Sequence, residues 1–182
     1  MSIRYSFQPI VDNHAKILIL GSMPGQASLT ANQYYAHPRN AFWPIMAQLL
    51  QFNPDVSYTE KITALKSSQI ALWDVLRSCH RIGSLDSSIE ADTQTINDFQ
   101  SFFPEHREIT HVFFNGGKAE VCFKRHVLPK NNLDSLRFTR LPSTSPANAR
   151  LSFEDKYKIW HEMIHSALEF GNPSPIRLHK GT

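Results

Sequence analysis

The stretch from Ile17 to Trp43 reads ILILGSMPGQASLTANQYYAHPRNAFW and contains an apolar run, a glycine turn, a polar loop and the start of a helical pattern. Its opening run, Ile17 to Leu20, is apolar throughout, which is typical of a strand buried on both faces of a sheet. Gly21 to Gly25 hold two glycines and a proline, so the chain turns sharply and a ligand can approach the backbone closely. A polar and aromatic loop then leads into a helical pattern at Ala41. This order predicts a site at the carboxyl end of a strand in an open α/β sheet.

The composition is that of one globular domain. The chain has 182 residues, 41% of them hydrophobic, which suffices for one core and is short for two domains. We therefore expect a single domain over residues 1–182, with a loosely held tail from about residue 172. No apolar run approaches the roughly 20 residues that span a bilayer, and the N-terminus lacks a signal-peptide pattern, so we expect a cytoplasmic protein. The two cysteines, Cys79 and Cys122, are too few for a disulfide framework or a four-cysteine metal site.

Hydrophobic periodicity predicts strands that alternate with helices. Further strands are indicated by the apolar runs at residues 70–76, 111–114 and 136–141. Helices are indicated from Ala41 onward and over residues 58–66, 89–103, 118–127 and from Ser152. Polar loops follow three of the predicted strands, and in a parallel sheet such loops converge on one edge: residues 21–40, 115–118 and 142–148.

Two charge features have more than one interpretation. Asp74 is ionisable but lies in an apolar run, and it either caps the following turn or touches a ligand. Basic residues outnumber acidic ones over 118–140, next to an acidic stretch at 86–108. That asymmetry indicates either a polyanionic partner or ordinary solvated faces.

Several common catalytic motifs are missing from the sequence. It contains neither G-x-x-x-x-G-K-[ST] nor G-x-G-x-x-G, so nucleoside-triphosphate and dinucleotide binding are not supported. Ser22 is not in a G-x-S-x-G elbow, and the nine histidines lack metal-ligand spacing. The loops instead offer amides, hydroxyls and aromatic faces, which suit a flat heterocycle and a phosphate backbone. We expect neither a metal nor a cofactor.

The first loop resembles motif one of the uracil-DNA glycosylase superfamily, whose mismatch-specific members read G-x-N-P-G and then H-P-x-N-x-F-W. Gly21, Pro24, Gly25 and the segment His37 to Trp43 match, while Met23 replaces the asparagine. With the later motifs A-L-W-D-V-L, G-S-L-D-S and L-P-S-T-S-P, the chain is similar to the hypoxanthine-DNA glycosylase branch. The resemblance implies an α/β fold, a three-layer α/β/α sandwich with a central, mostly parallel four-stranded sheet. It also implies a monofunctional glycosylase that hydrolytically excises hypoxanthine, or else uracil, from double-stranded DNA.

Asn40 has two interpretations under this resemblance. In the mismatch-specific enzymes the asparagine at the position of Met23 holds the attacking water, and a thioether cannot hold water in that way. The resemblance to the hypoxanthine branch makes Asn40 the catalytic residue instead. Asparagine is also favoured as a helix cap, and Asn40 directly precedes the helix predicted at Ala41. Both roles can hold at once.

The other site residues are assigned by their chemistry. Tyr35 offers a face on which the base can stack, or else it packs in the core. Asn115 offers donors and an acceptor to the base edge, and the amides of the glycine turn can stabilise the departing anion. The base-binding set is Gly21, Ser22, Met23, Pro24, Gly25, Ser28, Tyr35 and Asn115. Hydroxyls, amides and cations near a helix start favour phosphate, and the DNA-binding set is His37, Lys118, Ser143, Thr144, Ser145, Asn148 and Arg150.

Two questions stay open at this point. Relatives carry a wedge that fills the gap left by the base, but Ala147-Asn148-Ala149 in the corresponding loop has no bulky apolar side chain. The alternative to a glycosylase is an α/β protein that binds nucleic acid or a nucleotide and has little turnover because of Met23. A third possibility is an enzyme that binds a phosphate ligand on a flavodoxin-like sheet. We expect a monomer whose partner is DNA, with no membrane association.

Overall fold

The computed structural model describes residues 3–170 of the chain. Its strands, in chain order, are β1 (Ile3–Tyr5), β2 (Ile17–Gly21), β3 (Ile70–Asp74), β4 (Leu76–His80), β5 (Thr95–Ile96), β6 (His111–Asn115) and β7 (Arg137–Leu141). Its α-helices are α1 (Gln26–Ala31), α2 (Phe42–Leu50), α3 (Tyr58–Ser67), α4 (Phe99–Glu105), α5 (Gly117–His126) and α6 (Phe153–Phe170). Single 3-10 turns lie at Asp86–Ser88, Ala91–Thr93 and Leu128–Lys130.

The central sheet of the described residues has four parallel strands in the order β3-β2-β6-β7. Strand β2 pairs with β3 on one side and with β6 on the other, and β7 pairs with β6. The predicted parallel sheet is therefore confirmed. Because all four strands run the same way, their carboxyl ends, Gly21, Asp74, Asn115 and Leu141, lie along one edge.

Helices cover both faces of this sheet, as the three-layer prediction requires. Leu18 and Leu20 of β2 face a core that also contains the phenylalanines of α4 and the buried side of α5. Ile17 and Ile19 alternate to the opposite face, where they pack with α2, α3 and α6. Every residue of β2 is buried, because a central parallel strand has a helical layer on each side.

Helix starts follow their sequence signals. Ser57 and Glu60 form a capping box at the start of α3. At α6, Ser152 Oγ accepts a hydrogen bond from the amide of Asp155 at 3.1 Å, which confirms the predicted start. The tail expected from about residue 172 lies outside the described residues.

The predicted helix over 89–103 is wrong. That segment contains a 3-10 turn, the short strand β5 and only the first part of α4, and Pro104 lies inside α4 rather than after it. Strand β5 pairs with β4, which also pairs with β1, so a small antiparallel sheet of order β1-β4-β5 forms beside the main one. Asp98 then caps α4 through the amide of Ser101. Pairing between distant strands overrides the weak local helical pattern.

A search of residues 3–170 finds no helix that is both long and apolar enough to cross a membrane.

Replacing Gly116 by alanine should destabilise the protein more than replacing Gly83. Both glycines have positive φ, 92° and 75°, so alanine costs roughly 1–2 kcal/mol at either from backbone strain. A Cβ at Gly116 would also lie 2.9 Å from Cβ of Ser143, whereas one at Gly83 meets nothing within 4 Å. Thermal unfolding should show the larger loss of Tm for Gly116→Ala. Equal losses would mean that the loop at Ser143 moves aside without cost.

Candidate active site

A cavity of about 680 Å³ opens at the carboxyl edge of the central sheet. It is lined by the last residues of β2, β3 and β6 and by residues of the loops after β2 and β7, so these parts of the chain converge on one edge as predicted. Of the predicted site residues, the cavity lining includes Gly21, Ser22, Met23, Pro24, Gly25, Ser28, Tyr35, His37, Asn40, Asn115, Ser143, Thr144, Ser145 and Asn148.

Gly21, Asp74 and Tyr35 form the inner end of this cavity, which we call the cavity floor. Gly21 lies opposite Asp74 in the parallel register. A Cβ on Gly21 would lie 2.4 Å from Oδ1 of Asp74 and 2.9 Å from the hydroxyl oxygen of Tyr35. The missing side chain of Gly21 therefore provides the space into which the carboxyl and the hydroxyl project.

The polar atoms of the cavity floor are buried and incompletely paired. Asp74 is 3% exposed, and its Oδ2 has no hydrogen-bond partner among residues 3–170. Burial, reinforced by the charge of Asp86 and opposed by that of Arg81, raises the pKa of Asp74 to about 8. Burial and the neighbouring Asp74 likewise raise the pKa of Tyr35. Asp74 is therefore a neutral acid at pH 7, and it does not cap a turn with its carboxyl.

The side chain of Arg81 fixes the glycine turn through two hydrogen bonds. Its buried guanidinium donates to the carbonyl of Met23 at 3.5 Å and to the carbonyl of Pro24. The carbonyls of Gly21 and Ser22 accept from the amides that follow β3, at 2.9 Å and 3.1 Å. The carbonyl groups from residue 21 to 24 are thus all paired within the protein, which fixes the conformation of the turn.

The segment Arg81–Ile89, which we call the 81–89 loop, closes one side of the cavity. Ser22 Oγ donates to Oδ1 of Asp86 at 2.6 Å, and the amide of Gln26 donates to Ser84 Oγ at 2.9 Å. Sequence reasoning missed Arg81, Ser84 and Asp86 as site residues. Ser84 and Asp86 belong to the G-S-L-D-S motif, whose role appears only when the fold brings it to the glycine turn, and Arg81 lies two residues before that motif.

Tyr35 packs against the core and also belongs to the cavity lining, while its stacking on a base stays a prediction. Its ring stacks on Phe42 with centroids 4.1 Å apart and planes 25° apart, so one face packs against the core. Tyr35 nevertheless lines the cavity, and its φ of 54° turns the chain there. The core contact and the site position are therefore parts of one arrangement.

Asn40 lies one residue before Ala41, which is the N-cap of α2 and has no side-chain cap, and the catalytic role of Asn40 stays a prediction. Its Oδ1 accepts a hydrogen bond from the amide of Phe42 at 3.0 Å, which satisfies a free amide at the start of α2. Its own amide donates to the carbonyl of His37 at 2.8 Å. Asn40 thus supports the helix start and lines the cavity at the same time.

Asn115 ties the 143–148 loop to the sheet. Its Nδ2 donates to Oγ1 of Thr144 at 2.8 Å, and its Oδ1 accepts from the amide of Thr144 at 2.9 Å. Thr144 is 1% exposed, and its carbonyl accepts from the amide of Ala41 at 3.0 Å. Thr144 is therefore an anchor for this loop, while Ser143 and Ser145 remain part-exposed.

The predicted DNA-binding set is only partly brought together. Lys118 lies on α5 and Arg150 is exposed after the 143–148 loop, and neither lines the cavity. Arg39, which was not predicted, is exposed on the cavity lining. Lys156 supports the loop from α6, because its Nζ donates to the carbonyl of Asn148 at 2.7 Å.

Comparison with known proteins gives the family. The family model of the uracil DNA glycosylase superfamily matches residues 8–164. The chain belongs to this superfamily. The resemblance seen in the first motif, and the fold that it implied, are thereby confirmed.

Two curated superfamily relatives are named hypoxanthine DNA glycosylase. The protein from Methanosarcina acetivorans is 33% identical over 147 residues, which cover 76% of this chain and 92% of that protein. The protein from Methanosarcina barkeri is 35% identical over 117 residues, which cover 64% of this chain and 73% of that protein. These names are those of the branch that the sequence motifs indicated.

A solved structure has the same superfamily fold. It is a solution NMR structure from Methanosarcina acetivorans, described provisionally as a uracil DNA glycosylase. It matches with a TM-score of 0.76 at 32% identity, covering 91% of this chain and 99% of that chain.

Residues 3–170 of this superfamily member contain no cluster of three or more histidine, cysteine or acidic side chains placed to hold a metal ion.

Replacing Asp74 by asparagine should remove a pH-dependent loss of stability. In the unfolded chain an aspartate ionises near pH 4, whereas Asp74 in the folded protein stays protonated to about pH 8. The contribution of neutral Asp74 to the free energy of unfolding should therefore be fully present below about pH 4. It should fall as pH rises towards 8, by up to roughly 1 kcal/mol per pH unit. Denaturant unfolding should show Asp74→Asn equal to wild type near pH 4 and increasingly more stable above it. A constant difference across this range would contradict the buried neutral acid.

Proposed function

We propose that this protein is a monofunctional DNA glycosylase, which turns a deaminated base out of double-stranded DNA and hydrolyses its bond to deoxyribose. Superfamily membership supports the reaction class, and the relatives named hypoxanthine DNA glycosylase support hypoxanthine as the base, with uracil second. The observation that carries the proposal is the cavity at the sheet edge, where a buried carboxyl, a fixed main-chain turn and Asn40 meet.

The cavity suits an extruded base by size and shape. Its volume of about 680 Å³ is in the range of small-molecule sites, and it opens to solvent where DNA can approach. A base turned out of a duplex loses its stacking, at a cost of roughly a few kcal/mol. The ring of Tyr35, which stacks on Phe42, offers an aromatic surface that restores part of the lost stacking energy.

Asp74 is the group that we assign to the edge of the base, because Asn115, which was predicted for that role, has its Nδ2 and its Oδ1 bonded to Thr144. A neutral carboxylic acid offers an O–H donor and a C=O acceptor, whereas an ionised one only accepts. The lactam edge of hypoxanthine or uracil offers a carbonyl beside a ring N–H, which complements that pair. An ionised Asp74 would instead repel the negative charge that the leaving base acquires.

The reaction then needs a leaving group and a nucleophile. The oxygen of water bonds to the sugar carbon while the bond to the base nitrogen breaks, the electron pair leaves with the base, and a proton from water ends on the released base. The amides of the glycine turn, whose carbonyls are paired to Arg81 and to the chain after β3, are our choice to stabilise the departing charge.

Asn40 is our choice to hold the attacking water. Its Oδ1 is bonded to the amide of Phe42, which fixes the side chain, and its remaining lone pair and NH₂ group can orient a water. An amide is a weak base, so most of the rate should come from stabilising the leaving base. The thioether of Met23 takes no part in holding water.

In this proposal the surfaces around the cavity mouth bind the DNA backbone. Ser143, Ser145, Asn148 and His37 belong to the cavity lining and offer polar groups to the phosphates. Lys118 and Arg150 add charge further out along the duplex. We also propose that the protein is a monomer and that it acts in the cytoplasm.

The proposal is tested by strand scission. Duplexes with one deoxyinosine or one deoxyuridine are incubated with excess protein and then treated with alkali, which cleaves at sites without a base. A glycosylase gives scission at the modified position, with hypoxanthine faster than uracil. Binding without scission of either duplex would support the alternative of a nucleic-acid-binding protein with little turnover.

Asn40→Ala should lower the single-turnover excision rate by roughly 100-fold or more, because no group then orients the water. It should cost only about 1 kcal/mol of stability through the lost contact with the Phe42 amide. Asn40→Asp is the matched control, since it keeps an acceptor for that amide and should keep the wild-type Tm within a few degrees. An Asn40→Ala variant that is folded and excises at the wild-type rate would leave Asn40 with a helix-capping role alone.

A further inference from the structure

Leu85 is an exposed leucine at the mouth of the cavity. Its side chain belongs to the cavity lining although the residue is 55% exposed. Other exposed apolar residues, such as Val121 on α5, lie away from the cavity. A single exposed leucine is ordinary on a protein surface, so its position and its support decide whether it has a function.

The 81–89 loop holds Leu85 from both sides. The preceding residue, Ser84, accepts a hydrogen bond from the amide of Gln26, and the following residue, Asp86, accepts one from Ser22. The carbonyl of Leu85 accepts from the amide of Ser88 at 3.0 Å. Leu85 is therefore held against the glycine turn by the residues on either side of it.

The base of the loop is also fixed. Arg81 and Ile89 form an antiparallel bridge, and both are buried. The Arg81 guanidinium is bonded to the carbonyls of the glycine turn. A loop fixed at its base and on both sides of its apex loses little further conformational freedom when it meets a partner.

The 143–148 loop, which also lines the cavity, offers no comparable side chain. Within residues 143–148 the apolar members are Pro146, which is part-exposed, and Ala147, which is exposed. An alanine cannot fill the space of a missing base. Proteins that unstack DNA insert apolar wedges such as leucine, isoleucine or proline between base steps.

We infer that Leu85 enters the base stack of the duplex and fills the space left by the base that turns into the cavity. The inference rests on the proposed function and adds which loop acts on the duplex. The 81–89 loop and the 143–148 loop then hold the DNA from opposite sides of the cavity, and the leucine replaces the stacking contacts that the extruded base gives up.

The test compares Leu85→Ala with wild type on deoxyinosine in a duplex and in a single strand. A wedge matters only where a base must leave a stack, so excision from the duplex should fall by roughly tenfold or more and excision from the single strand should stay within about twofold. Ile82→Ala is the control from the same loop: Ile82 is 71% exposed but does not line the cavity, and both rates should stay within about twofold.

A second measurement does not need turnover. In the Asn40→Ala background, 2-aminopurine next to deoxyinosine should brighten when the base is extruded, and adding Leu85→Ala should abolish most of that rise. Equal losses on duplex and single strand would make Leu85 a wall of the base pocket and overturn the inference. An unchanged duplex rate, or a duplex-only loss in Pro146→Ala instead, would also overturn it. If the wild-type protein excises no base from either substrate, the proposed function fails, whatever the fluorescence shows.

Discussion

The contact that the rest of the site depends on is the one between Gly21 and Asp74. These residues end two neighbouring parallel strands in register, and the missing Cβ of Gly21 leaves space for the carboxyl of Asp74 and the hydroxyl of Tyr35. Any larger residue at Gly21 would fill that space, because its Cβ would lie 2.4 Å from Oδ1 of Asp74. The cavity floor therefore depends on the glycine that ends the fully buried strand β2.

The site also requires a fixed backbone conformation in the turn that follows β2. Gly21 to Pro24 have all their carbonyls bonded within the protein, two of them by the buried guanidinium of Arg81. A preorganised turn can stabilise developing charge without reorganising during the reaction. Arg81 comes from the start of the 81–89 loop, so the group that fixes the turn also fixes the loop that reaches the cavity mouth.

The sequence was sufficient for the parallel sheet and for most of the cavity lining, because strand patterns and glycine turns are local signals. It failed over residues 89–103, where β5 exists only through pairing with β4. It also missed Arg81 and Asp86, whose partners lie far away along the chain. Asp74 was recognised as unusual, but only its depth and its missing partner separate a ligand contact from a cap.

In the proposed mechanism Asp74 acts as a neutral acid beside the base. This role is tested most directly by single-turnover excision of hypoxanthine from a duplex, from about pH 6 to about pH 10, by wild type and by Asp74→Asn. Titration of the base itself affects both proteins, so the quantity to follow is the ratio of the two rates. Because Asp74 loses its proton above about pH 8, the rate of wild type relative to the variant should fall there by about tenfold per pH unit. A ratio that stays constant across the range would contradict this role.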